Sequence, residues 1–117
     1  SQKRLHRPVT NSMNIDETAA CMAELGHKTR LAVFRQLVKA GPSGLAVGEL
    51  QKNLAIPAST LSHHLSRLTR AGLVIQQRSG TTLMCLPQYQ VLQDMIDFLV
   101  DECCSGAPCI ETPCRCE

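Results

Sequence analysis

The sequence predicts a mainly α-helical domain with one small β-hairpin, arranged as a winged helix-turn-helix. The first observation behind this prediction is a helical repeat in which Leu61, Leu65 and Leu68 recur at i, i+4 and i+7. The second is a shorter amphipathic helix that ends a few residues before this repeat, as in a helix-turn-helix. The third is a change of period after Gly72, where two short apolar runs flank a turn and predict a hairpin. A helix-turn-helix followed directly by a hairpin has the order of a winged helix.

Length and composition indicate one compact domain. The chain has 117 residues, no Trp, one Tyr and two Phe, so its core must be aliphatic, which favours packed helices over a β-sandwich. We interpret residues 1–14 as a flexible arm, residues 15–104 as the folded domain and residues 105–117 as a flexible Cys-rich tail. Because a core of this size often needs further stabilisation, a dimer interface is expected.

Charge and apolar spacing predict the first two helices. Asp16 and Glu17 place negative charge at the start of a helix that runs to Gly26. A second helix is predicted over residues 28–40. Its apolar face is expected to contain Leu31, Phe34, Leu37 and Val38, and its polar side Arg30, Arg35 and Lys39.

The helix-turn-helix is predicted over residues 45–72. Residues 45–54 form its first helix and residues 55–57 its turn. Pro57 can open the second helix without losing a needed N–H, and Gly72 can end it.

A hairpin and a last helix complete the predicted domain. Strands at 73–77 and 82–86 are joined by a turn in which Gly80 can take a positive φ. The last helix, over residues 89–100, carries more apolar side chains than one face of a small domain needs. We therefore expect it to pack against a second subunit.

The polar front of the helix over residues 57–72 carries no carboxylate and predicts DNA binding. Its hydroxyl, imidazole and guanidinium groups can donate to phosphates and to base edges in the major groove. A merely solvated face is the alternative. Residues 1–92 hold 11 Lys and Arg against 4 Asp and Glu, whereas residues 93–117 hold 1 against 6, so the basic part suits a polyanion. The predicted contacts to double-stranded DNA are Ser59, Thr60, Ser62, His63, Arg67 and, at the hairpin, Arg78.

Seven cysteines are present, and five of them lie in the last 15 residues. The sequence shows no long apolar run and no signal sequence, so we expect a cytoplasmic protein with reduced thiols. An odd, clustered set does not resemble a disulfide framework and instead favours metal, metalloid or redox chemistry. Cys21 is interpreted as a small buried thiol, and His63 and His64 as donors to DNA rather than metal ligands.

Several motifs resemble the ArsR/SmtB family of metal- and metalloid-responsive repressors. They are LGHKTRL at 25–31, STLSHHL at 59–65 with Leu68, AGLV at 71–74 and RSG at 78–80. The resemblance covers about residues 16–104. It implies a homodimer, assembled through the first and last helices, that binds an operator and leaves it when an inducer binds. Residues 15–104 would then be a DNA-binding and dimerisation domain.

The inducer sites familiar in that family differ between members, and two of them are missing here. Residues 45–62 contain no Cys, so the Cys-x-Cys-x-x-Cys arsenic site is absent. Residues 88–104 contain no His, so the zinc site of the last helix is absent as well. The remaining motif, Cys103-Cys104 with Cys109 a few residues on, resembles the C-terminal vicinal-cysteine subtype of arsenic-sensing repressors.

Soft thiolates are natural ligands of trivalent arsenic and antimony. Cys103 and Cys104 are the minimum site and suffice for a methylated or other organic arsenical. Arsenite takes a third thiolate, for which Cys109 and Cys85 are the candidates. No cofactor is required, and the inducer is expected to be a trivalent arsenic species.

Other functions of the thiols stay open at this point. The cysteines could be incidental, or bind zinc, cadmium or lead with help from Cys109 and Cys114, or form a redox switch. Cys114 and Cys116 are predicted to be dispensable. We expect no enzyme, because no phosphate loop and no Cys-x-x-Cys in a βαβ pattern occurs. A module that only sequesters metal is the remaining alternative.

Overall fold

The computed structural model describes residues 13–101. The arm before Met13, Cys103, Cys104, Cys109 and the Cys-rich tail lie outside this range. In chain order, the helices and strands of the described residues are α1 Ile15–Leu25, α2 Lys28–Ala40, β1 Leu45–Ala46, α3 Val47–Leu54, α4 Ala58–Arg70, β2 Val74–Ser79, β3 Thr82–Pro87 and α5 Tyr89–Val100. The predicted fold class is confirmed: the chain is mostly helical, with a small antiparallel sheet of strand order β1-β3-β2.

Side chains cap the first two helices. Asn14 and Glu17 form a capping box at α1: Asn14 Oδ1 accepts from the Glu17 N–H at 2.8 Å, and Glu17 Oε1 accepts from the Asn14 N–H at 3.1 Å. The sequence predicts Glu17 in the first turn, and the structure adds Asn14 as the N-cap residue. His27 caps α2 through Nδ1, which accepts from the Thr29 N–H at 3.1 Å. Both helices therefore begin with a side-chain cap.

The leucine repeat of α4 lies in the core, as predicted. Leu61, Leu65 and Leu68 are buried and share one cluster with apolar residues of α2 such as Phe34 and Leu37. This packing holds α4 against the domain along its apolar side. The opposite side of α4 therefore faces outward.

The predicted faces of α2 are wrong at two neighbouring residues, Arg30 and Leu31. Arg30 is 9% exposed, whereas Leu31 is 42% exposed. The buried guanidinium is compensated, because its Nε donates to the main-chain oxygen of Glu24 at 2.7 Å and lies 3.4 Å from the Glu24 carboxylate. Arg30 is therefore on the buried side of α2, and Leu31, which apolar spacing predicts to be buried, is exposed.

The predicted start of the third helix is also wrong. Leu45 and Ala46 form strand β1, and α3 begins only at Val47. Leu45 is in register with Cys85, and Ala46 with Met84. Two residues are too few to show the alternation that identifies a strand, and the partner strand lies some forty residues later.

Gly44 allows β1 to reach β3. Its φ is +69°, and a Cβ at this position would run into the main-chain carbonyl of Cys85. The close approach of the two backbones therefore requires glycine. β1 extends the predicted hairpin into a three-stranded sheet.

The wing hairpin forms as predicted, with each strand running slightly further. Ser79 pairs with Thr82, which leaves Gly80 and Thr81 as the loop. Gly80 has φ +70°, the conformation for which a glycine was expected here.

Helices α1 and α5 contact each other and leave apolar side chains uncovered. Ile15 and Met22 of α1 are 68% and 44% exposed, and Ile96 and Leu99 of α5 are 41% and 58% exposed. The apolar excess predicted for α5 is thus present on the surface of the single chain. No helix within residues 13–101 is long and apolar enough to cross a membrane.

Candidate DNA-binding interface

Helix α4 presents a polar surface opposite its buried leucines. Ser59, Ser62, His63 and Ser66 are exposed, and Thr60 is partly exposed. The helix contains no Asp or Glu, and its N-cap, Pro57, makes no side-chain hydrogen bond to the first turn. The first turn of α4 thus has no side-chain cap and carries the hydroxyls of Ser59 and Thr60, and an uncapped helix start of this kind suits an anion such as a phosphate.

Arg67, one of the predicted DNA contacts, lies at the edge of this surface and pairs within the chain. Its Nε donates to Glu24 Oε1 at 2.9 Å and its Nη2 donates to Glu24 Oε2 at 3.1 Å. This two-pronged pair is the main reason why the pKa of Glu24 lies below its ordinary value. The Arg67 side chain is still 39% exposed, so part of it faces solvent.

His64, which the sequence analysis interprets as a donor to DNA, does not reach the polar front of α4. Its side chain is buried, with Nδ1 3.5 Å from Nη1 of Arg30 and its ring centroid 4.9 Å from that of His27. Burial is the largest cause of the lowered pKa of His64, followed by the charges of His27, Arg30 and His63. The spacing held a signal for this: with His64 included, the repeat through Leu61 is i, i+3, i+4 and i+7, the full buried stripe of a helix.

Arg78 lies near the tip of the wing, as the sequence predicted. It is the penultimate residue of β2, pairs in register with Leu83 and is exposed. Its neighbours Gln76 and Gln77 are exposed as well. The end of the hairpin thus adds the Arg78 cation and the Gln77 amide to the exposed polar groups of the domain.

The two cysteines within residues 13–101 are buried. Cys21 is 3% exposed, as interpreted from the sequence, and its Sγ lies 3.4 Å from the main-chain oxygen of Ala71. Cys85 is fully buried in β3, and Gln76 Nε2 lies 3.9 Å from its Sγ. Burial raises the pKa of both thiols, with Glu17 adding to the rise at Cys21. Both are therefore poor sources of a thiolate at neutral pH.

The described residues bring together no metal site. Within residues 13–101, no group of three or more His, Cys, Asp or Glu side chains is arranged to hold a metal ion. The predicted ligands Cys103, Cys104 and Cys109 lie outside that range. Of the predicted ligand set, only Cys85 is described, and it lies in the core.

Comparison with known proteins agrees with this geometry. Residues 25–77 match the family model described as a helix-turn-helix domain. The HTH-type transcriptional regulator YgaV of Escherichia coli strain K12 is 27% identical over 85 residues, covering 73% of this chain and 80% of YgaV. Residues 25–77, which match the family model, run from the end of α1 through α4 into strand β2 of the hairpin.

Solved structures share this fold over most of the chain. HlyU from Vibrio cholerae N16961 is 29% identical, with a TM-score of 0.61 over 79% of this chain and 97% of HlyU. The homodimeric winged helix-turn-helix DNA-binding domain of Mb0332 from Mycobacterium bovis, described as a possible ArsR-family regulator, is 21% identical, with a TM-score of 0.61 over 83% of this chain and 90% of that one.

The fold and the matched segment define a winged helix-turn-helix domain. YgaV is an HTH-type transcriptional regulator and the Mycobacterium bovis domain a possible ArsR-family regulator, the family that the sequence motifs of this chain resemble.

Proposed function

We propose that the protein is a homodimeric, DNA-binding transcriptional repressor of the ArsR family, released from its operator by trivalent arsenic. The observation that carries DNA binding is the exposed, carboxylate-free front of α4, held outward by the buried leucines of the same helix. A homodimer would present two such helices about one DNA turn, roughly 34 Å, apart on a pseudo-palindromic site.

The contacts divide into two kinds. Ser59, Thr60 and the open first turn of α4 suit phosphate, while Ser62 and His63 lie further along the exposed front, where base edges are within reach of a recognition helix. Arg78 would contact the backbone or minor groove from the wing. The pairing of Arg67 with Glu24 makes its contact with DNA secondary in this proposal.

Dimerisation is proposed through the uncovered apolar surface of α1 and α5. Met22, Ile96 and Leu99 are all more than 40% exposed in the single chain. A matching surface from a second copy would remove them from water. The homodimeric state of the Mycobacterium bovis neighbour supports this assembly.

The inducer site proposed is Cys103 and Cys104, which follow the last residue of α5 by three and four positions in the sequence. Trivalent arsenic is soft and binds sulfur: each Cys thiol forms an As–S bond in place of one As–OH bond, and the thiol proton leaves with the hydroxyl group as water. For arsenite we favour Cys109 over Cys85 as the third ligand, because the Cys85 thiol is buried in the core and its pKa is raised by that burial. Since α5 belongs to the proposed dimer surface, ligand binding at its end would change the spacing of the two α4 helices and weaken DNA binding by about 5–150-fold.

Fluorescence anisotropy with a labelled promoter fragment tests the proposal. The wild-type protein should bind in a salt-sensitive, sequence-specific manner and be released by arsenite or methylarsenite. Cys103→Ser combined with Cys104→Ser should retain DNA affinity and lose the release, whereas Cys114→Ser with Cys116→Ser should respond as wild type. If the first double variant is still released normally, the inducer site is wrong. Cys85→Ser and Cys109→Ser, each titrated with arsenite, identify the third ligand.

The same titrations decide between inducers. Release by zinc, cadmium or lead at lower concentration than by arsenite would replace the arsenic proposal with a metal sensor. Release by an oxidant and recovery with a thiol reductant would replace it with a redox sensor. Absence of any sequence-specific DNA binding would refute the repressor function itself.

A further inference from the structure

One edge of α4 is fastened to α1 and α2 by polar contacts. Cys21 Sγ of α1 meets the main-chain oxygen of Ala71, which directly follows α4. One turn earlier on α4, Arg67 pairs with Glu24. Another turn earlier, His64 meets Arg30 of α2. These contacts run along the side of α4 between its apolar face and its exposed front.

Glu24 is the centre of this edge. Its carboxylate accepts two hydrogen bonds from Arg67 and lies 3.4 Å from Nε of Arg30, while its main-chain oxygen accepts from the same Nε at 2.7 Å. The Glu24 side chain is only 18% exposed and the Arg30 side chain 10%. A two-pronged guanidinium–carboxylate pair fixes angle as well as distance, because both groups are planar. Glu24 therefore constrains the rotation of α4 about its own axis, not only its distance from α1.

Glu24 also lies on the helix that carries Ile15 and Met22, the uncovered apolar residues of α1. The same short helix thus bears part of the proposed dimer surface and the main polar attachment of the recognition helix. A shift of α1 in the dimer would reach α4 through Glu24 and Arg67.

We propose that Glu24 is a positioning residue for DNA recognition: through Arg67 and Arg30 it sets the orientation of α4 relative to α1, so that the recognition helix follows the geometry of the dimer. This inference rests on the proposed DNA-binding function. Arg67 then acts on DNA through Glu24, although its sequence position predicts a direct phosphate contact. The two roles of Arg67 make opposite predictions and can be separated.

The test compares specific with non-specific binding. A high-affinity duplex is selected from a random library with the wild-type protein, and a scrambled duplex of equal composition serves as the non-specific partner. Glu24→Gln should weaken binding to the selected duplex by about fivefold, at the low end of couplings between sites, and leave binding to the scrambled duplex unchanged. Asp16→Asn removes the same charge from an exposed position of α1 and is the matched control; it should bind both duplexes as wild type.

Salt dependence and a double-mutant cycle assign the role of Arg67. If Arg67 acts through Glu24, then Arg67→Gln and Glu24→Gln should lose similar specific affinity, and the double variant should lose no more than either. The slope of log affinity against log salt should stay unchanged in all three. A slope reduced by about one in Arg67→Gln alone would show a direct phosphate contact and overturn the inference. Arg67→Lys keeps the charge but not the fork and should behave like Arg67→Gln.

Folding and function are checked separately. Thermal unfolding and sedimentation should show each variant folded with the same oligomeric state as the wild type; if Glu24→Gln is unfolded, Arg67→Lys carries the test alone. A wild-type protein that does not discriminate the selected from the scrambled duplex would refute the proposed function and this inference together. A wild type that discriminates, with Glu24→Gln retaining the same ratio, would refute only the positioning role.

Discussion

Nη1 of Arg30 lies 3.5 Å from Nδ1 of His64, and both side chains are buried. A guanidinium only donates hydrogen bonds, so Nδ1 must be the acceptor and the proton of the neutral imidazole is on Nε2. A second proton on His64 would face the charge of Arg30, with His27 and His63 also close by. The fold therefore selects the uncharged ring in the middle of the recognition helix.

This selection predicts a loss of stability in mild acid. The pKa of His64 is lowered in the folded protein, so below the ordinary value of 6.5 the unfolded chain binds the proton more readily. The contribution is complete above that pH and is lost as the pH falls towards the folded pKa. Over that interval, wild-type stability should depend on pH more steeply than that of His64→Asn, by up to about 1.4 kcal/mol per pH unit.

Urea unfolding of the wild type and of His64→Asn measures this difference in pH dependence. The range from about pH 8 to about pH 5 is chosen because it brackets the ordinary histidine pKa. His63→Asn, at the exposed neighbouring position, removes only the smallest of the causes that lower the pKa of His64, so this control should keep most of the wild-type slope. Equal slopes for His64→Asn and wild type would contradict the assignment.

Gly44 should tolerate no side chain. Gly44→Ala places a Cβ against the Cys85 carbonyl at a positive φ, so we expect a loss of about 2 kcal/mol or more of unfolding free energy. Gly48→Ala is the matched control, because an added Cβ meets nothing there and alanine favours helix α3; it should gain about 0.5–1 kcal/mol. Chemical denaturation of the two variants gives both signs in one experiment.

Ala55 should be improved by glycine. It ends α3 in the left-handed conformation, with φ 51° and ψ 47°, and is the only non-glycine with positive φ within residues 13–101. Ala55→Gly should raise the unfolding free energy by about 0.5–1 kcal/mol, since glycine adopts this conformation without strain. Ala58→Gly, at the start of α4, should lower stability by a similar amount. Destabilisation by Ala55→Gly would show that the backbone energy is outweighed by another effect.

Arg78 should contribute charge rather than sequence discrimination. Arg78→Gln should weaken binding to the selected and the scrambled duplex alike and reduce the salt slope by about one. Arg35→Gln, an exposed arginine of α2, should leave the slope unchanged. An unaltered slope for Arg78→Gln would place the wing away from the DNA backbone.

The sequence predicts the helices well where one side chain type dominates a face. The leucines of α4 identify their helix and its buried side, and the glycine at position 80 identifies the hairpin. Neighbours in sequence carry this information, so periodicity can detect it. The exposed front of α4 then follows, because it is what the leucines leave outside.

Long-range partners decide the parts that the sequence did not predict. Arg30 is buried only because Glu24 and His64 meet it, and β1 exists only because β3 lies beside Leu45 and Ala46. Apolar spacing assigns a buried position to leucine and an exposed one to arginine, and it has no means of recognising a compensated charge. The pairing of Arg67, which changes its expected role, depends on the same remote carboxylate.

The burial of Cys21 and Cys85 has a practical consequence for chemistry on the intact protein. Each thiol can meet an alkylating reagent only when its part of the fold opens, so the reaction rate reports how often that happens. Cys85 would report opening of the core around β3, and Cys21 the departure of α1 from the end of α4. Within residues 13–101, these two thiols thus report local unfolding at two places in the fold. Mass spectrometry of the peptides that contain them can follow each reaction during DNA or inducer binding.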